Sequence, residues 1–170
     1  MIDRSIEGYF YYQSPIGLIR MGETGGFLTR ADFIEQSPDS EHLQPDSKSN
    51  SSTLLKDACR QLDEYFEGRR QKFDLALQPH GTDFQRSAWE SLLRIPYGET
   101  RSYMQQAESI HNPKAIRAIG QANSNNPIPI IIPCHRVIGK NGSLTGYAGG
   151  LDRKTRLLAL EHIFMHAQNY

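Results

Sequence analysis

The sequence predicts an α/β protein of two lobes: an N-terminal antiparallel sheet with a helix, and a mostly helical C-terminal half. Three observations predict it. The first third sets aromatic and β-branched runs between turn signals, the half after residue 82 carries helix caps and helical periodicity, and the charge changes sign between them. Residues 1–80 hold nine Lys/Arg against thirteen Asp/Glu, whereas residues 81–170 hold ten against six. A polyanionic partner should therefore meet the second half, although its excess of basic groups is modest.

The runs "IEGYFYYQ" (6–13), "GLIRMG" (17–22) and "FLTRADFI" (27–34) are separated by SPIG and ETGG and read as strands. Residues 35–52 are polar, rich in Ser and Pro and aperiodic, which predicts a long surface loop. From 53 to 67, Leu54, Leu55, Ala58, Leu62, Tyr65 and Phe66 recur near one helical face, and Gly68 stops the helix. Cys59 lies within that helix and reads as a small packed residue. "KFDL" (72–75) is expected to complete the sheet, and "ALQPHGT" (76–82) to link domains 1–78 and 79–170.

Thr82 and Gln85 form a capping-box pattern before "FQRSAWESLLRI", a helix broken by "PYGE". Thr100 is placed to cap "RSYMQQAESI" (101–110), and Asn112 with Pro113 to open "KAIRAIGQANS". Two short helices in this order read as a helix-turn-helix, a motif shared by many helical domains that never touch DNA. The second helix presents Ala118, Gly120 and Ala122 with Arg117 beside them. Small residues permit close approach to another helix or to a nucleic-acid groove, and the arginine favours the groove. The last helix, 152–166, carries Leu157, Leu160 and Phe164 on its apolar face with Glu161 among them. A carboxylate on such a face is costly unless paired.

The chain has only two cysteines, too few for a disulfide framework, and no CxxC pair that would suggest structural zinc. Its opening lacks the apolar core of a signal peptide, and no apolar run approaches the ~20 residues of a membrane span. A cytoplasmic protein with reduced thiols is expected. Cys134 follows "SNNPIPIIIP" (124–133), whose three prolines predict a stiff, extended arm. A single cysteine is usually packing. Here a rigid arm precedes it and His135 and Arg136 follow, and nearby basic groups are expected to pull the thiol below its usual pKa of about 8.5. Neighbouring residues seldom bond side chain to side chain, so a water between Cys134 and His135 is expected, with Glu161 as the acid that holds the histidine.

"NPIPIIIPCHRVIG" followed by "GYAGGLDRKTRLLALE" resembles the active-site region of the O6-alkylguanine-DNA alkyltransferases, or methylated-DNA–protein-cysteine methyltransferases. "FQRSAWESLLRIPYGETRSY" and "RAIGQANSNNP" are similar to the preceding part of that family's domain. The resemblance is strong over about residues 82–162, weaker over the N-terminal strands and absent from 35–52. It implies a ribonuclease-H-like roll in the first lobe and single-turnover transfer of an alkyl group from O6-alkylguanine, and from O4-alkylthymine, in double-stranded DNA to Cys134. His135 would act through water and Glu161 would orient it, with Asn126 bracing the turn and Tyr103 beside the reacting oxygen. Arg117 would fill the gap left by a flipped nucleotide, on a helix whose Ala118, Gly120 and Ala122 approach the groove. Backbone groups of Cys134, Val137 and Ala148 would read the base between Pro129 and Tyr147. The resemblance implies a monomer without cofactor, and no zinc, since the cysteine ligands that some relatives use are missing. Two rival readings are a hydrolase with a Cys–His–Glu triad and a regulator that uses only the helix-turn-helix.

Overall fold

The computed structural model describes residues 9–34 and 52–167, with side chains through His162. The start of the first predicted strand, the 35–52 loop before Ser52 and the side chain of Phe164 lie outside the described residues. The chain divides into two compact units, Met1–Pro79 and His80–Tyr170.

In the first unit β1 (Tyr9–Ser14), β2 (Gly17–Thr24) and β3 (Phe27–Phe33) form an antiparallel sheet in that order. The register sets Phe10, Met21 and Ala31 side by side, with Tyr12 next to Ile19, so the alternating pattern puts one apolar face on one side. Helix α1 (Thr53–Phe66) covers that face with Leu55, Ala58, Cys59, Leu62 and Tyr65. Cys59 is buried as packing. Ser52 caps α1 through Leu55 N–H at 3.1 Å, and Gly68 at φ 73° takes the left-handed turn after it.

The strand expected at 72–75 does not form. Gln61, buried on α1, takes both backbone groups of Asp74 that a ladder would need, at 2.8 Å each. The chain reaches the sheet edge slightly later instead. Leu77 bridges Leu28 in parallel, with Leu28 N–H on Ala76 O at 2.8 Å and Gln78 N–H on Leu28 O at 3.0 Å.

In the second unit α2 (Asp83–Leu92) begins at Thr82 with the full reciprocal capping box to Gln85. Thr100 does not cap the next helix, because Arg101–Ser102 is drawn into a short strand, β4. β4 pairs in parallel with β5 (Val137–Ile138), so the cap passes to Ser102, whose hydroxyl and Gln105 form a second capping box on α3 (Tyr103–Ser109). Asn112 and Pro113 also fall short of their expected role. They make a turn in which Ala115 N–H bonds Asn112 O at 3.0 Å, and α4 (Ile116–Ser124) starts after it with no side-chain cap.

Helices α2, α3 and α4 meet on Ala88, Ala107, Ile119 and Ala122, with Phe84, Tyr103 and Ile110 packed around them. Residues this small bring the backbones close, and polar bonds then fix the angle. Trp89 Nε1 donates to Ala122 O at 2.8 Å, and the buried amides of Gln106 and Asn123 bond each other at 2.8 and 3.2 Å. Helix α5 (Leu151–Ala167) packs against the short 3-10 turn Cys134–Arg136. Among the described residues no helix is long and apolar enough to cross a membrane.

Candidate active site

The arm before Cys134 is not the straight segment its prolines suggest. It turns back on itself: Ile132 N–H bonds Ile128 O at 2.9 Å, and Ile130 sits at φ 73° with its side chain 1% exposed. A β-branched residue in the left-handed region costs about 1–3 kcal/mol, so its surroundings must hold it there. Burial of Ile128, Ile130 and Ile132 is one restraint. Asn126 is the other. Its Oδ1 accepts from Ile128 N–H at 3.0 Å, and its Nδ2 donates to Ile132 O at 2.8 Å and to Cys134 Sγ at 3.1 Å.

Cys134 is therefore presented at a braced turn, 4% exposed. Burial pushes its thiol up to about 11, and the Asn126 hydrogen bond and the charge of Lys154 recover only part of that shift. The expectation of a lowered thiol pKa is thus overturned, because desolvation outweighs the nearby donors. At neutral pH the group is therefore held as a thiol.

His135 follows Cys134 in the same short turn. It is fully buried, and its Nε2 lies 2.8 Å from Glu161 Oε1. Because the carboxylate accepts, Nε2 carries the hydrogen and Nδ1 presents a lone pair. Nδ1 is buried and has no hydrogen-bond partner among the described residues. Burial holds the imidazole below its usual range against the pull of Glu161, so it is neutral and able to accept.

Glu161 is 1% exposed and serves more than the histidine. Arg136 meets it with Nε on Oε2 and Nη2 on Oε1, both at 2.9 Å, and Gly98 N–H adds a bond at 3.1 Å. Burial alone would raise this carboxyl. The bond from His135 and then the Arg136 guanidinium outweigh it and hold the group well below the carboxylate range. Sequence reading missed the Arg136–Glu161 pair, though a buried carboxylate facing only a neutral imidazole should have prompted a search for a cation.

Lys154 was missed as well. It is fully buried on α5, and its Nζ donates to Val137 O at 2.6 Å and Thr145 O at 2.7 Å. Its spacing with Leu157 and Glu161 along one helical stripe was the available signal.

Tyr103 sits at the start of α3, half-buried, and its hydroxyl donates to Thr145 O at 2.9 Å. The loop before α5 is thus held from two sides, by Tyr103 and by Lys154. Pro129 and Val137 are buried beside Cys134 in the chain, Ala148 is exposed in the loop, and Tyr147 is partly exposed. Burial raises the Tyr103 and Tyr147 hydroxyls and lowers the Lys154 ammonium, and an ionised Cys134 would raise all three. Of the backbone groups expected to read a base, Cys134 N–H is already bonded to Ile132 O at 2.9 Å, and Val137 O accepts from Lys154 Nζ at 2.6 Å.

On α4, Arg117 and Ala118 are exposed and Gly120 is partly so. Ala122 is not on that surface. It is 2% exposed and packed with Ala88, Ala107 and Ile119, because the helix turns this position toward α2, where its carbonyl holds Trp89. Its place in a groove-facing set is corrected accordingly. The site holds no group of three or more His, Cys, Asp or Glu arranged as metal ligands among the described residues.

The raised thiol gives a pH dependence. The unfolded chain ionises near ~8.5, below the folded value, so the thiol's contribution is complete below that pH and is lost as pH rises toward about 11. Denaturant titrations from pH 8 to 10.5 should show a loss in the parent approaching ~1.4 kcal/mol per pH unit beyond that of Cys134→Ser. Equal alkaline losses in the two proteins would mean that the thiol is not the buried acid described above.

These features set a buried cysteine, a neutral histidine and a buried carboxylate in the same unit as the helix pair α3–α4. Two family models match the chain: the 6-O-methylguanine DNA methyltransferase ribonuclease-like domain over residues 8–79, and the DNA binding domain of the same proteins over 83–163. The chain is 50% identical over 153 residues to the methylated-DNA–protein-cysteine methyltransferase of Methanosarcina acetivorans, covering 90% of this chain and 97% of that one. It is 44% identical to the constitutive enzyme of that name from Bacillus subtilis, covering 91% and 95%. The crystal structure of Mycobacterium tuberculosis OGT in complex with DNA is similar at a TM-score of 0.80 and 45% identity, covering 92% of this chain and 93% of that one. This chain belongs to the 6-O-methylguanine DNA methyltransferase family.

Proposed function

We propose that this protein repairs alkylated double-stranded DNA by moving the alkyl group of O6-alkylguanine, and of O4-alkylthymine, onto its own Cys134, once per molecule. The observation that carries this reading is the buried series Cys134, His135 and Glu161, in which Nδ1 of a neutral histidine is left without a partner and Glu161 fixes the other nitrogen at 2.8 Å. A water between Nδ1 and Sγ would pass the thiol proton to the imidazole, and Glu161 would stabilise the imidazolium that forms. The thiolate attacks the alkyl carbon in line, the C–O6 bond breaks, and its electron pair leaves with the base. The transfer balances with no further group, and the thioether formed is stable.

In this reading Asn126 holds Sγ at the turn, and Lys154 and Arg136 are positioning residues. Tyr103, Pro129, Val137, Tyr147 and Ala148 surround the base. The base must leave the helical stack to reach them, and Arg117, Ala118 and Gly120 face the DNA while it does so. Relatives named for methylated DNA, and one solved with DNA, support the partner. The protein acts as a cytoplasmic monomer.

Incubation with excess duplex containing O6-methylguanine tests this. One methyl per protein molecule should appear, on the peptide that contains Cys134, and none in Cys134→Ser. Continued product release beyond one equivalent would sink the single-turnover reading and favour a cysteine hydrolase.

A further inference from the structure

Helices α2, α3 and α4 share one buried polar node. Gln106 of α3 and Asn123 of α4 are 2% and 4% exposed, and their amides bond reciprocally. Asn123 Nδ2 donates to Gln106 Oε1 at 2.8 Å, and Gln106 Nε2 to Asn123 Oδ1 at 3.2 Å. From α2, Ala88 O and Ser91 Oγ each accept from Gln106 Nε2 at 3.1 Å. These partners leave the amide only one orientation. Ala88 O can only accept, and the Ser91 hydroxyl has given its hydrogen to Ala88 O at 2.6 Å, so the Gln106 nitrogen must face α2. Its oxygen is then left for Asn123 Nδ2.

Stability alone does not call for such a node. The same three helices already meet on Ala88, Ala107, Ile119 and Ala122. Replacing both partners of a buried hydrogen bond by apolar groups of the same shape is close to neutral. What apolar contacts lack is direction. A leucine can slide and turn against its neighbour, whereas hydrogen bonds weaken steeply away from their preferred angle. The reciprocal pair therefore fixes how α4 lies against α3 and α2.

What α4 carries makes its placement matter. Arg117 and Ala118 are exposed at its start. At its end Asn123 O accepts from Asn126 N–H at 3.2 Å, and Asn126 Nδ2 in turn bonds Cys134 Sγ at 3.1 Å. The amide pair thus clamps the helix three residues before the brace of the thiol. We infer that Gln106 and Asn123 are positioning residues: their pair holds α4 at one angle, so that Arg117 and the Cys134 turn keep a set relation while a nucleotide is drawn out of the duplex. The inference rests on the transfer reaction proposed above and adds no group to its chemistry.

Gln106→Met combined with Asn123→Leu removes both partners at nearly constant volume. The double variant should react with free O6-methylguanine at the parent rate, because the thiol turn keeps its Asn126 brace. With O6-methylguanine in duplex, its maximal single-turnover rate should fall about 10-fold at an unchanged half-saturating DNA concentration. A misplacement of ~1 Å costs about 100-fold, and the apolar contacts of α4 keep the shift smaller than that. An unchanged maximal rate on duplex would overturn the inference, including the case in which only DNA binding weakens, since the pair would then shape the surface alone. Equal slowing on duplex and free base would overturn it too, because the pair would then support the pocket. Should the double variant fail to fold, Ser91→Ala decides by the same outcomes. It takes one acceptor from Gln106, leaves the pair, and should show the same split in smaller measure. A parent protein that takes the methyl from neither free base nor duplex would overturn the transfer reaction and this inference together.

Discussion

Glu161→Gln should melt far below the parent and should transfer methyl groups slowly even where it is folded. The parent carboxylate takes His135 on Oε1 at 2.8 Å, Arg136 on both oxygens at 2.9 Å, and Gly98 N–H at 3.1 Å. An amide offers one oxygen and turns an N–H₂ toward a donor that has nowhere else to go. Arg136 is 6% exposed and would be left in the interior without its countercharge. Breaking one side of a buried pair costs roughly 3–5 kcal/mol, a large part of a typical domain's stability. His135 would also lose the acceptor that keeps its hydrogen on Nε2, and loss of a positioned base costs about 10²–10⁴ in rate. His135→Ala should share the kinetic loss, and both should slow transfer more than they weaken binding to methylated DNA.

Acid should reveal the same pair. The folded pKa of Glu161 is depressed, so its contribution is present above the unfolded value of about 4.3 and is lost as pH falls through the folded one. His135 is depressed by burial as well. Its contribution is complete above about 6.5 and erodes below, since the unfolded chain takes the proton first. The parent should lose stability from below ~6.5 onward, and Glu161→Gln should lack the steeper part below ~4.3. Thermal melts at several pH values, with single-turnover rates at a temperature where both proteins are folded, would check this. A glutamine variant of parental stability and rate would remove Glu161 from the role described.

Much of this was legible in the chain because local chemistry and tertiary packing agree there. Thr82 and Gln85 can cap only a helix that starts between them, and the alternation in 9–33 can bury only one face of a sheet. Readings went wrong where a distant group decided the outcome. Gln61 took the backbone of Asp74, β5 drew Arg101 and Ser102 out of the helix, and Trp89 and its neighbours claimed Ala122 for the interior. The thiol pKa belongs to the same class. Adjacent His135 and Arg136 suggested a lowered value, yet Arg136 is spent on Glu161, and desolvation is invisible until the fold buries the group. Cys134, His135 and Glu161 could be read together because a carboxylate on an apolar stripe demands a partner.

Arg117→Ala should slow repair of duplex DNA sharply and leave reaction with free O6-methylguanine nearly unchanged. Arg117 stands exposed in the first turn of α4, and among the described residues it makes no ion pair or hydrogen bond that would give it a structural task. Ala118 beside it is exposed too and Gly120 partly so, and residues this small let this stretch of the helix come close to a groove. Extruding a nucleotide costs a few kcal/mol of stacking and pairing, and a long planar cation filling the vacancy would offset part of that. A free base is never stacked, so that service has no value to it. Removing the charge also weakens attraction to phosphates, and Arg117→Lys separates the two effects. Lysine keeps the charge and loses the planar fork, so it should restore DNA binding better than it restores repair. Binding titrations at fixed salt, alongside single-turnover rates with duplex and with free base, give the comparison. Equal slowing on free base and duplex would mean that Arg117 supports the pocket or the fold, and base extrusion would then need another residue.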